Sequence, residues 1–229
     1  MFPPTEPWQP RIHWDAPAGR LLDEVVAALP AERKWNLIVF GSAPLQLGLD
    51  PLFLSGDVDV IAAQAETEGH LSAAKLLKDQ RKFYVEVVPR YVFNAPSDWQ
   101  DRAYRELRRH VEFTFPHPAD ILVAKVCRVA DKDLDAFRLV RRLTGHPTAG
   151  EMIRLLRNVV DIYRPRFDEE RGTDPFANTK LLWREIFDAD IDVRREIIQP
   201  ALEERRRYFE QGQGLRDKLR AIGESSGAD

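Results

Sequence analysis

Leu37-Ile38-Val39-Phe40-Gly41-Ser42, followed after a short loop by Asp57-Val58-Asp59-Val60, decides how this chain is read. The apolar residues continue a run from Trp35 to Phe40 with the length and content of a buried strand. Gly41-Ser42-Ala43-Pro44 reads as a turn, and Pro44 suits the first turn of a short helix reaching Leu49. Asp50-Pro51 and Ser55-Gly56 are loop signals ahead of a second strand over 57–62. Residues i and i+2 of a strand face the same side, so Asp57 and Asp59 leave one face while Val58 and Val60 enter the core. Aspartate disfavours strands, and two in alternation need a compensating reason.

That reason is chemical. A small-residue turn between a buried strand and a helix presents free backbone N–H groups to phosphate oxygens. Gly41 and Ser42 are therefore candidate phosphate-binding residues. Aligned carboxylates beside them suit a divalent metal held against a nucleoside triphosphate, so Asp57 and Asp59 are candidate metal ligands for nucleotidyl transfer.

Composition narrows the class. The chain has 229 residues, 44% of them hydrophobic, which supports a packed interior and argues against wholesale disorder. A formal net charge of -3 gives no global field toward nucleic acid or membrane, so a polyanion site has to be a local patch. The single cysteine, Cys127, excludes an intramolecular disulfide framework and reads as a small core residue. The N-terminal residues have neither a basic segment nor an apolar one of the secretory kind, and no run approaches membrane-spanning length. The default expectation is a cytoplasmic protein with no membrane partner.

Working outward, residues 1–16 read as an extended, Pro- and Trp-rich arm that Trp8 and Trp14 can anchor. Helical spacing of Leu21, Leu22, Val25, Val26 and Leu29 predicts a helix over 18–29. A helix over 68–80 is expected next, with Leu71, Ala74, Leu76 and Leu77 inward, then a third strand over 82–88 in which Glu86 is the one acidic residue. Tyr91-Val92-Phe93 reads as a sheet edge, 99–107 as a short helix and 110–115 as a half-buried strand. Beyond Pro118 the pattern is helical only, with helices over 119–130, 132–143, 152–163, 180–188 and 192–209, the last kinked near Pro200. The expected fold is α+β, a mixed sheet flanked by helices and then a C-terminal helical region. Its divisions are an arm at 1–16, an α/β core at 17–117, a helical domain at 118–222 and a polar tail at 223–229.

A hydrophobic strand ending in Gly-Ser, then Asp-x-Asp on the next strand, resembles the nucleotidyltransferase superfamily of the polymerase-beta type. The resemblance implies two acidic residues binding magnesium (or manganese) with a third carboxylate on a neighbouring strand, and Glu86 best matches that third position. His117-Pro118-Ala119-Asp120-Ile121-Leu122-Val123-Ala124-Lys125-Val126-Cys127-Arg128, then Asp131-Lys132-Asp133-Leu134-Asp135, resembles the AbiEii-type branch of abortive-infection and toxin-like members. It implies that Lys125 and Arg128, one turn apart, reach triphosphate oxygens. Asp133 or Asp135 can orient Lys125 or a substrate, although both also suit a helix N-terminus. The resemblance spans about residues 35–143. It departs at Ala43-Pro44, where many relatives carry a further Ser or Thr, and in the long spacing between Gly41-Ser42 and Asp57.

The implied function is magnesium-dependent transfer of a nucleoside monophosphate to a hydroxyl on RNA such as tRNA, on protein or on a small molecule. A toxin role with a cognate antitoxin belongs to the same implication. The alternative expectation is a degenerate module that binds nucleotide or a partner protein. The five histidines show no metal-ligand spacing. Gly212-x-Gly214 reads as a helix end and 203–207 as a solvated helix face. Arg154, Arg157, Arg164 and Arg166 form a candidate phosphate-binding strip for an RNA acceptor.

Overall fold

The apolar strand at Trp35–Phe40 (β1) becomes the middle of a five-stranded mixed sheet. The structure is a computed structural model and describes residues 3–164 and 174–225, with side chains described as far as Gln213. Val58–Ala62 (β2) pairs antiparallel with β1 on one side and parallel with Val85–Val87 (β3) on the other. Val111–Phe115 (β5) pairs parallel with β1 and antiparallel with Tyr104–Arg108 (β4), giving the order β3-β2-β1-β5-β4.

One face of the sheet carries Leu37, Val39, Val58, Val60, Val85, Val111 and Phe113, all at most 1% exposed. The helix Pro17–Ala28 (α1) covers it with Leu21, Leu22, Val25 and Val26, the apolar stripe of its 3.6-residue period. The short helix Ala43–Gly48 (α2) belongs to two apolar clusters, placing Leu47 beneath the sheet and Leu45 among the later helices. Those helices are Pro118–Lys125 (α5), Asp131–Thr144 (α6), Ala149–Asn158 (α7), Pro175–Phe187 (α8) and Gln199–Ser225 (α9). Thr148 and Glu151 start α7 with a reciprocal capping box, and Gly145, in the left-handed region at φ 76°, ends α6. The α+β expectation, with its mixed sheet and C-terminal helices, matches this architecture.

The arm is strapped down. Trp8 is 1% exposed, its backbone N–H donates to the Arg102 carbonyl, and His13 N–H donates to the Leu47 carbonyl. A side chain at Gly48 would meet the Trp8 ring at 2.4 Å, so glycine there is what admits the indole. Trp14 donates from Nε1 to Glu106 at 3.0 Å and lies under the Arg108 guanidinium.

Several sequence expectations are corrected. The helix expected over 68–80 is only Thr67–Ala73 (α3). Lys75 turns back at φ 58°, which buries Leu76 and sets Leu77 beside Val85, while Ala74 is left exposed. The third strand is three residues long, and Arg90–Val92 forms a 3₁₀ turn in place of a sheet edge. Trp99–Arg102 (α4) is one turn, after which the chain becomes edge strand β4. Its Tyr-Arg-Glu-Leu-Arg sequence hides the alternation behind charged side chains, a usual device on an edge strand. At the break expected near Pro200 the helix carries a π-helical turn, Arg194–Ile198, and the Glu196 carbonyl, which a proline four residues on cannot pair, accepts Arg157 Nε and Nη2 at 3.0 and 2.8 Å. α9 then continues through Gly212-x-Gly214 to Ser225, so the tail expected from 223 begins inside that helix. Residues 226–229 and Arg166 lie outside the described residues.

Candidate nucleotide and metal site

Strand register gathers the acidic residues. Asp59 stands opposite Phe40 of β1 and opposite Glu86 of β3, so Glu86, Asp59 and the residue two positions earlier, Asp57, share one face. Each offers a carboxylate oxygen, and the three oxygens lie within 4.8 Å of one another. The apolar neighbours on this face, Phe40 and Ile61, are closed over by Phe93 and Trp99, which keeps the carboxylate end of the row beside apolar surface.

Gly41 is at φ 72°, a backbone region that glycine alone enters freely. A Cβ there would sit 2.2 Å from Asp59 Oδ2, so the carboxylate occupies the space a side chain would take. Two requirements thus converge on one residue. We expect Gly41→Ala to displace the Asp59 carboxylate and to lower stability by about 1–3 kcal/mol through backbone strain. A denaturant melt checks this; wild-type stability in Gly41→Ala would contradict the geometry.

Lys125, at the C-terminal end of α5, donates from Nζ to Ser42 Oγ at 3.2 Å and to Asp133 Oδ1 at 2.7 Å. Asp133 is fully buried, and its other oxygen accepts the Ala130 N–H at 3.1 Å at the start of α6. It therefore caps the helix and fixes the lysine at once. Asp135 lies on the opposite side of α6, exposed and paired with Arg138 at 3.1 Å. Arg128 and Lys132 also line the cavity, and both are exposed. Glu86 has a weak partner in Lys78 at 3.9 Å, with both side chains open to solvent.

The three carboxylates, Gly41, Ser42, Lys125, Arg128, Lys132 and Asp133 line a cavity of about 610 Å³, a volume suited to a nucleotide. Its wall also includes Tyr91, Asn94 and Cys127. Cys127 is half-buried rather than a core residue, because α5 gives way at Lys125 to a 3₁₀ turn that swings it toward the cavity. Sequence reasoning puts Tyr91 in a sheet edge and misses Asn94 altogether. The signal that places them is their position just beyond Pro89, which ends β3 and turns the chain over the carboxylates.

Burial is the first cause that pushes the Asp59 carboxyl up, followed by the negative charges of Asp57 and Glu86; Lys125 and Arg128 pull the other way. The net result is a carboxyl raised to about 7. The arrangement is a cluster of like charges awaiting compensation.

Other candidates fall elsewhere. Arg157 and Arg164 line a second, larger groove, whereas Arg154 lines a separate cavity beside Asp98 and Arg102. Among the described residues no histidine joins the acidic cluster; His117 caps α5 by accepting the Ala119 N–H on Nδ1 at 3.0 Å. Among the described residues, too, no helix is long and apolar enough to cross a membrane.

A family model described as "Nucleotidyltransferase of unknown function (DUF6036)" matches residues 20–139, just over half of the 229-residue chain. No curated protein and no solved structure matches the chain. The matched span begins in α1, contains every carboxylate and cation of the cavity, and ends inside α6.

Proposed function

The chain belongs to this family of nucleotidyltransferases, and on that premise we propose that it transfers a nucleoside monophosphate from a nucleoside triphosphate to a hydroxyl acceptor. The observation that carries the reading is the meeting of Asp57, Asp59 and Glu86 within 4.8 Å beside the Gly41 bend, with Lys125 on the same cavity wall. Three carboxylates are a hard oxygen donor set that fits magnesium or manganese. Burial first, and then the charges of Asp57 and Glu86, raise the Asp59 carboxyl, and a divalent cation would relieve both costs. When bound, such a cation would supply neutralisation of the triphosphate and of the departing pyrophosphate.

The remaining roles fall to the chain itself. Gly41 and Ser42 receive the β- and γ-phosphates, and Lys125, held by Asp133, neutralises their charge. Arg128 and Lys132 guide the triphosphate at the cavity wall. Glu86 accepts the proton of the acceptor hydroxyl. The hydroxyl oxygen forms a new bond to the α-phosphorus as the bond from that phosphorus to pyrophosphate breaks, and pyrophosphate leaves with the electron pair. Positioning and electrostatics supply most of the acceleration, since phosphoryl-type transfer asks little covalent chemistry of the protein.

The test is incubation with each labelled nucleoside triphosphate, magnesium and total RNA. We expect label to move to an acceptor with wild-type protein and not with Asp57→Ala. Tight triphosphate binding without transfer by the wild type would instead make the chain a nucleotide-binding module. The finer reading is an AbiEii-like toxin acting in the cytoplasm on tRNA or protein and restrained by an antitoxin. It rests on the 117–135 segment, and growth arrest on expression that disappears in Asp59→Ala would support it. Unimpaired growth on expression of the wild type would refute it.

A further inference from the structure

The cavity does not end at Tyr91. Tyr91 and Asn94 also line a groove of about 1720 Å³, nearly three times the volume of the nucleotide cavity, which runs out along α9. Within it Tyr91 is 80% exposed, Tyr208 76% and Phe209 71%. Three large rings held in water along one groove are a costly surface for a chain that otherwise buries its aromatics well. Arginines stand among the rings. Arg157, Arg164, Arg205 and Arg206 face the groove against three carboxylates, Asp161, Glu204 and Glu210. Arg206 pairs with Glu210 only at 3.8 Å, an exposed contact weak enough to exchange for phosphate, whereas Arg205 grips both Asp161 oxygens at 2.8 and 3.0 Å and Arg157 also donates to the Glu196 carbonyl.

We propose that this groove binds a single-stranded polynucleotide, whose terminal hydroxyl enters the carboxylate cavity past Tyr91 and Asn94. Rings that stack bases without regard to sequence, interleaved with guanidinium groups that follow the backbone, are the pattern such strands require. The α9 wall from Ala201 to Gln213 is ~18 Å long at helical rise, room for several stacked bases. A small-molecule acceptor would leave most of that length unused. Duplex RNA presents its bases already stacked on one another and gives the rings nothing to do. Strand binding stands on the groove alone, and only the direction of the hydroxyl rests on the transferase reading.

The experiment titrates the full chain into a fluorescein-labelled single-stranded RNA of about twelve nucleotides and reads anisotropy. Wild-type protein is expected to bind, and the surface variant Tyr208→Ala/Phe209→Ala to bind about 10-fold more weakly or worse. Triphosphate affinity should be equal in these two proteins, and Asp59→Asn should keep strand affinity. A thermal melt shows that the double variant is folded. Equal strand binding by wild type and double variant, no binding by either, or a preference for duplex would overturn the proposal. So would capture of a polypeptide through the same rings in place of the strand. Strand binding that depends on the rings, with no label transfer, would support the groove and count against the transferase reading.

Discussion

Replacing Asp59 by Asn is expected to abolish transfer while making the metal-free protein more stable at pH 8. Transfer should fall about 1,000-fold, the scale on which a group that offsets developing charge matters. The stability change has the opposite sign. The Asp59 carboxyl is raised to about 7 in the folded chain from an ordinary value of 3.8, so between those values the native state holds a proton that the unfolded state has released. Stability therefore falls as pH rises from about 4 to about 7 and stays low above that. The full cost of an ionised Asp59 is on the order of 4 kcal/mol at 1.36 kcal/mol per pH unit, before structural relaxation. Asparagine escapes it, and its amide can donate to the Asp57 and Glu86 carboxylates. Denaturant melts at pH 4.5 and pH 8 without metal check this: the two proteins should be similar in acid and diverge in base. Equal pH profiles would mean that neither burial nor the neighbouring carboxylates disfavour the ionised Asp59.

Arg102→Ala should be the most damaging substitution away from the cavity. The guanidinium donates to both oxygens of Asp120, at 3.2 and 2.7 Å, and also to Asp98 at 2.7 Å. Asp120 is completely buried in the first turn of α5, the helix whose other end carries Lys125. Removing the arginine strands a carboxylate with no route to water, at a cost of about 3–5 kcal/mol. Arg102→Met combined with Asp120→Leu removes both charges and should recover most of that loss. Guanidinium melts of the single and double variants decide it. A double variant as unstable as Arg102→Ala would mean that packing around the arginine matters more than its charge. The Arg102 carbonyl, which accepts the Trp8 backbone N–H, remains in both variants, so the arm stays anchored.

The parts of the fold legible in sequence are those set by local apolar pattern. Trp35–Phe40, the Gly41 bend and the inward valines of β2 can be read from alternation and composition, and the strand register then brings Glu86 beside Asp59 without further information. Asp133 is ambiguous beside Asp135 in the sequence. The signal that separates them is its alignment with Ala136, Phe137 and Val140, the buried stripe of α6 at spacings of three, four and seven. β4 is not legible, because its pattern of charges on both faces resembles a helix surface and its partner is needed to make it a strand. The end of α3 is equally hidden. Lys75 at positive φ is held by the bridge from Leu77 to Val85, a tertiary contact, and not by any local preference of lysine.

The central claim is that Asp57, Asp59 and Glu86 jointly hold a divalent cation beside a triphosphate. Manganese binding, followed by electron paramagnetic resonance with a non-hydrolysable triphosphate present, tests it most directly. The account predicts saturable binding by wild-type protein that weakens by about 10-fold or more in Asp57→Ala and Glu86→Ala. Wild-type affinity retained when all three carboxylates are replaced would contradict it.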